Sequence, residues 1–473
     1  MELEYTDYCR ASSFGNGLGS CERHERLIPV NDERDKIPVV IIGSGFTGLA
    51  AAYEITRRGI PVIVLEKDEE IGGLAGSFKI NRQCLEKFYH HWFTNDEHLI
   101  RFTKEIGCED QLVYNQTKTG IYIDKYFFKL STPLDVLLFK PLGLWDRIKL
   151  GLLVLRVRRV KDWKELESVT AREWLIKLCG QQVYDVVWEP LLRGKFGPFA
   201  PEISAVWFWN KLLLRGGSRS KTEKEVLAYY RGGFRTFIEA IANEIKFSGG
   251  EFVTGASVEA LIVRDGHVKG VQTSKGIIDA RAVIATPALP IIAGLVEPHI
   301  SGKYANELRR IKYLANICLV LVLSHSLSDI YWLNINDPDF PFIGVIEHTN
   351  FQPAENYDGL HIIYLSTYLP ETAELFYMKK EQIFEFALSH IKRMFPKFDR
   401  SWIRYYHVHK ARYAQPIVER YYSTLIPSNK TPIEGLYIAT MAQIYPEDRG
   451  TNYSIREGRR VGRIVAEQIQ LDN

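Results

Sequence analysis

Four positions in this 473-residue chain carry side chains able to do chemistry in clusters that invite it. His90 and His91 lie in Glu86-Lys87-Phe88-Tyr89-His90-His91-Trp92, His348 in Glu347-His348-Thr349-Asn350, and Arg449 in Pro446-Glu447-Asp448-Arg449. An imidazole titrates near neutral pH, so it can move a proton or hold one in a hydrogen bond. Adjacent histidines on an extended chain point opposite ways, so one of the pair is expected to be packed. The polar run at His348 directly follows Ile343-Gly344-Val345-Ile346 and reads equally as a cleft lining or as a capped turn. Arg449 can bind an anionic group or orient Asp448, and the acidic residues before it can also act as helix caps. Tyr331-Trp332-Leu333-Asn334 reads as an aromatic wall or as core. Arg193 and Lys195, in Trp188-Glu189-Pro190-Leu191-Leu192-Arg193-Gly194-Lys195-Phe196-Gly197, read as surface charge more readily than as a cleft mouth.

The elements that would position these groups start at Val39-Val40-Ile41-Ile42, a β-branched run suited to a strand buried on both faces. Gly43-Ser44-Gly45-Phe46-Thr47-Gly48 follows at once, then a helix to Arg58 and a second strand, Pro61 to Leu65, that delivers Glu66 at its carboxyl end. Gly43 permits a tight turn, Gly45 a close backbone approach to a pyrophosphate, and Gly48 close helix–strand packing. The helix N-terminus attracts the phosphate charge, and Glu66 stands where a carboxylate accepts hydrogen bonds from a ribose and disfavours a 2′-phosphate. This order predicts a dinucleotide site but does not separate FAD from NAD.

A second glycine cluster, Ile71-Gly72-Gly73-Leu74-Ala75-Gly76-Ser77, is placed to reach the same pyrophosphate. With it the chain resembles the flavin amine oxidase, protoporphyrinogen oxidase and phytoene desaturase superfamily, to which UDP-galactopyranose mutase is related. The resemblance covers nearly everything from Pro38 onward. It includes Tyr230-Arg231-Gly232-Gly233-Phe234 opening a helix, an adenine-side segment with Val258, and Gly435 to Thr440 followed by Arg449-Gly450-Thr451-Asn452 opening the last helix. It implies non-covalent FAD held by Gly43, Gly45, Phe46, Thr47, Gly48, Glu66, Lys67, Gly72, Gly73, Leu74, Val258, Gly450, Thr451 and Asn452. It also implies that the last helix aims its N-terminus at the flavin pyrimidine ring, and that the His90–His91 segment passes the ring. The arginines that usually flank the Gly-Gly pair are Ile71 and Leu74 here, which leans away from amine oxidation. The acid common after the C-terminal strand is replaced by Thr440.

The expected fold is α/β: a discontinuous Rossmann-like FAD-binding domain of the GR2 type with an α+β substrate-binding domain. The former is expected over 37–85, 226–300 and 411–473 and the latter over 86–225 and 301–410, behind a disordered extension over 1–36. A net charge of +3 disfavours nucleic acid as a partner. Six scattered cysteines without CxxC spacing argue against a disulfide framework or a metal site and for a reducing, cytoplasmic setting. No apolar run reaches membrane-spanning length. Residues 133–164 are amphipathic and basic, which suits either one core-facing helix side or a peripheral membrane contact. The favoured activity is hydride removal from a small organic substrate. The alternatives are a redox-neutral, mutase-like flavoenzyme acting on a nucleotide sugar or glycan precursor, and a flavin-binding protein without turnover.

Overall fold

Val39–Ile42 is hydrogen-bonded in parallel to Val62–Leu65 on one side and Ala282–Ala285 on the other, with all four of its residues buried. Adding Glu251–Val253 and Leu436–Ile438 at the two edges makes a five-stranded all-parallel sheet. Strands wholly covered on both faces need continuous apolar runs, and these are mainly Val, Ile, Leu and Ala. The computed structural model describes residues 37–80, 83–130, 132–217 and 225–472; the extension expected over 1–36 lies outside the described residues.

The helix Phe46–Thr56 is buried along its whole length. Helix Phe234–Phe247 packs on it through Phe237 and Phe234, which meet Phe46 with ring centroids 5.7 and 6.2 Å away. The C-terminal helix Thr451–Leu471 covers another side, and here glycine decides the packing. A Cβ on Gly458 would lie 2.1 Å from the Thr47 carbonyl oxygen, and one on Gly462 would lie 2.8 Å from that of Ala51. The two backbones therefore touch. Because 458 meets 47 and 462 meets 51, the helices run parallel, with both N-termini at the same end. Buried Glu54 locks the pair further through Arg459 of the last helix.

A seven-stranded sheet forms the second layer, in the order Ile403–Pro416, Tyr313–Leu323, His361–Leu369, Gly344–Glu347, Trp332–Ile335, Thr119–Ile123, Tyr126–Lys129. All pairings are antiparallel except Trp332–Ile335 with Thr119–Ile123. Ile403–Pro416 runs unbroken through the boundary expected at 410/411. Val226–Tyr230 pairs with Trp92–Phe93 and Leu112–Gln116 in a separate small sheet. Helices predominate between 133 and 217, including Leu144–Val157, Ala171–Cys179 and Ala205–Gly217. Among the described residues no helix is long and apolar enough to cross a membrane, and Cys84, Cys108, Cys179 and Cys318 are free thiols.

Gly458→Ala is expected to destabilise the protein by about 3 kcal/mol or more, since its methyl must push two helix backbones apart. Gly294→Ala, in a helix where a Cβ meets nothing within 4 Å, should be neutral or stabilising by about 0.5–1 kcal/mol. Chemical denaturation of the two variants reads the contrast, and equal effects would contradict the backbone contact.

Candidate active site

The glycine loop is shaped by what surrounds it. Gly43 takes φ +97°, and a Cβ there would sit 2.6 Å from Thr286 Oγ1; one on Gly48 would sit 2.0 Å from the Gly43 carbonyl oxygen. Gly45 differs, because a Cβ there would meet nothing within 4 Å. Its backbone faces open space at the start of Phe46–Thr56. The first helical bond runs from Leu49 N–H to the Gly45 carbonyl at 3.0 Å, which leaves the N–H groups of the first turn available to an anion. The Phe46 and Thr47 side chains are buried, so only their backbones can serve a ligand.

Glu66 is buried at the carboxyl end of Val62–Leu65. Its carboxylate accepts from Ser44 N–H at 3.0 Å, Ser44 Oγ at 2.5 Å and Asp68 N–H at 3.1 Å. The acid thus braces the loop. Gly72 N–H donates to the Ser44 carbonyl and to its hydroxyl, each at 3.2 Å, and a Cβ on Gly73 would stand 3.1 Å from Gly45 Cα. The two glycine clusters meet. Leu74 is half-buried and Lys67 exposed. Val258 opens a hairpin just past Gly255 and Ala256, whose N–H groups donate to the carbonyls of Asp68 and Glu66.

At the last helix, Ser454 N–H donates to the Gly450 carbonyl at 2.9 Å, and a Cβ on Gly450 would meet just the Asp448 carbonyl oxygen, at 4.0 Å. Thr451 Oγ1 accepts from Trp92 Nε1 at 2.7 Å, and Asn452 Oδ1 accepts from Leu99 N–H at 3.0 Å. These side chains moor the helix start, so their backbone N–H groups are what can face a ligand. Thr440 Oγ1 is buried without a hydrogen-bond partner at the end of the adjoining strand. A bare glycine backbone, two helix N-termini and an orphaned hydroxyl beyond the carboxyl ends of the parallel strands fit a dinucleotide such as FAD.

The histidines separate. His90 Nδ1 lies 2.6 Å from the Phe88 carbonyl, which can only accept, so Nδ1 carries the proton and Nε2 is left as the base. Burial, aided by the Arg449 charge, pushes its pKa down to about 4, so the ring is neutral at pH 7. His91 turns the other way, with Nδ1 3.0 Å from Tyr331 Oη. His348 is packed in the core, 2% exposed, among Tyr229, Phe351, Tyr357 and Tyr364. Its Nε2 is 2.7 Å from Tyr357 Oη, and burial pushes its pKa down to about 3. The cleft-lining reading of Glu347–Asn350 is corrected: Glu347 accepts from Ser326, Leu327 and Ser328, and Asn350 donates to the Ser328 and Ile330 carbonyls. The turn is an internal latch.

Arg449 bridges the two layers, donating from Nε to Gln415 Oε1 and from Nη2 to Tyr368 Oη, each at 3.0 Å. Asp448 is buried against Trp207 Nε1 at 2.7 Å and Lys211 Nζ at 2.5 Å. Burial alone would raise its pKa, but the charges of Lys211, Lys195 and Arg449 prevail and hold it well below the usual carboxylate range. Lys195 corrects the surface-charge expectation: its Nζ lies 5.1 Å from the Tyr368 ring centre and 5.4 Å from that of Trp207. Arg193 is exposed and pairs with Glu189.

Sequence reasoning missed Tyr368, Gln415 and Glu86. Alternation in His361–Leu369 could have shown Tyr364, Ser366 and Tyr368 on one face. Glu86 is buried, accepting from Phe234 N–H at 2.7 Å and from Tyr229 Oη, and burial pushes its pKa up to about 6. His409, with its ring centre 4.6 Å from that of Phe78, is pushed down to about 4 by burial, with the His407 and Lys87 charges adding.

Gly45→Val fills the open space by the loop and should weaken FAD binding about ten- to a hundredfold with unchanged far-UV circular dichroism; undiminished flavin content would contradict the cradle. His90, His348 and His409 are kept neutral when folded but protonate near 6.5 when unfolded. Stability from them is fully present above about pH 6.5 and is lost as pH falls toward about 4. The buried acids Glu86 and Asp96, raised to about 6, and Glu347, also raised, work the opposite way below about pH 6, but His98, His361 and His407 are lowered by burial as well and add to the first three histidines. The melting temperature should therefore fall below about pH 6.5, and His348→Phe should flatten that slope; a flat profile in the parent would contradict it.

Zeta-carotene desaturase of Zea mays is 26% identical over 313 residues, 58% of this chain and 54% of that protein. Coproporphyrinogen III oxidase of Propionibacterium freudenreichii subsp. freudenreichii is 21% identical over 319 residues, 55% and 59% of the two chains. The alignments thus span little more than half the length of these relatives. An oxidoreductase structure from Methanosarcina mazei superposes with a TM-score of 0.71 at 20% identity, over 90% of this chain and 99% of that one, and so shares the fold. Residues 46–465 match the model of the flavin containing amine oxidoreductases, and the chain belongs to that family.

Proposed function

We propose that this enzyme dehydrogenates a neutral or acid-bearing apolar organic molecule, as the names of its desaturase and coproporphyrinogen oxidase relatives suggest, and does not oxidise amines. The observation that carries this reading is the charge around Arg449. Lys195 and Arg449 bring positive charge to the Tyr368 wall, His90 is neutral, and the carboxylate of Asp448 is spent on Lys211 and Trp207. A substrate ammonium would meet cations with no free carboxylate to offset them, whereas a carboxylate or a polarised carbonyl would be attracted. Tyr89, with its ring centre 5.0 Å from that of Trp332, supplies apolar surface alongside.

Bound FAD supplies the hydride acceptor. In this reading Arg449, held by Gln415 and Tyr368, orients the substrate, and His90 Nε2 takes the proton released as the hydride leaves. The backbone N–H groups at Thr451 and Asn452 favour negative charge on the cofactor side. The redox-neutral alternative would draw on the same two cations, Arg449 and Lys195, to hold a nucleotide diphosphate, and no separate observation favours it.

Anaerobic mixing of the oxidised holoenzyme with a hydroporphyrin or a partly saturated polyene should bleach the flavin absorbance, while primary amines and a UDP-sugar leave it unchanged. His90→Gln should slow the bleaching about a hundredfold. Bleaching by an amine, or a His90→Gln variant as fast as the parent, would overturn the assignment.

A further inference from the structure

Helix Leu144–Val157 has two apolar sides where a surface helix ordinarily has one. Leu150, Leu153 and Val157 are buried and share the inward face by their 3- and 4-residue spacing. Leu144, Ile148, Leu152 and Leu155, at the same spacings, share the opposite face, and they are 62%, 37%, 40% and 57% exposed. Trp145 beside them is 75% exposed, and the preceding helix Pro133–Leu137 with its cap adds Leu134 and Leu138 at 62% and 63%. So large a contiguous apolar face is not the scatter of single residues that any surface shows.

Charge frames this face. On a helical projection Lys149 and Arg156 fall on one flank of the outward stripe and Arg147 on the other. Lys140, Arg158, Arg159 and Lys161 are exposed at the ends. Residues 133–164 hold eight Lys and Arg against three Asp before Glu165, an excess larger than the +3 of the whole chain. Leucines and a tryptophan inside a basic rim match a lipid interface with anionic headgroups, and the same rim would repel a second copy of itself.

We propose that the outward face of Pro133–Leu137 and Leu144–Val157 docks the protein on an anionic phospholipid surface, with Trp145 and the Leu144–Leu155 stripe in the acyl boundary and the basic rim on the headgroups. The proposal is independent of the substrate assignment. Flotation of the FAD-loaded protein with phosphatidylcholine vesicles, with and without phosphatidylserine, tests it. The parent should float with the phosphatidylserine vesicles and be released in part by high salt. Leu152→Glu/Leu155→Glu should bind about tenfold more weakly or worse, with flavin spectrum and melting temperature unchanged. Three results would overturn it: parent protein left at the bottom with both vesicle types, flotation undiminished in the double variant, or a parent dimer in gel filtration that the double variant abolishes.

Discussion

The carbonyl of Thr47 rests where any side chain on residue 458 would have to be. That one contact fixes how the first and last helices lie together, and the site depends on it. Because the helices are parallel, their N-termini emerge on the same side, with the last helix projecting about 10 Å farther at 1.5 Å per residue. Two ends with unpaired N–H groups, offset by that length, suit an extended dinucleotide: a diphosphate at one end and an electron-accepting ring at the other. The chain contributes these ends from positions some 400 residues apart, so the cofactor site is complete only when the whole fold has closed.

The second layer works by charge placement. Asp448 is the counter-ion around which Lys211, Lys195 and Arg449 gather, and Arg449 then reaches across to Gln415 and Tyr368 on the sheet. A buried acid so heavily compensated leaves net positive charge for something else to meet. His90, held by the Phe88 carbonyl with its proton on Nδ1, adds a lone pair without adding charge. The wall is thus cationic, with a neutral imidazole lone pair beside it, a combination that attracts an acid and resists an ammonium.

What could be read from residue order alone was what depends on local backbone geometry. Gly43, Gly48, Gly72 and Gly73 are legible because turns with positive φ or backbone contacts admit nothing else, and Glu66 because a strand of known length delivers it. Side-chain direction was not legible. His348 follows a strand end as a cleft residue would, yet the strand turns it into a tyrosine cluster. Lys195 sits two residues from exposed Arg193 on the same short helix, and only the approach of Trp207 and Tyr368 turns it inward. Asn452 and Thr451 were correctly placed at a helix start, but their side chains hold Leu99 and Trp92, a use that requires partners some 350 residues away.

The central claim is that one FAD lies along the two staggered helix ends, and a crystal structure of the flavin-loaded protein tests it most directly. The account predicts diphosphate oxygens against the N–H groups after Gly45, the ribose at Glu66, and the pyrimidine edge of the ring at Thr451 and Asn452, with no covalent bond to the protein. A flavin bound in the reverse direction, or a ring placed away from the start of Thr451–Leu471, would contradict it.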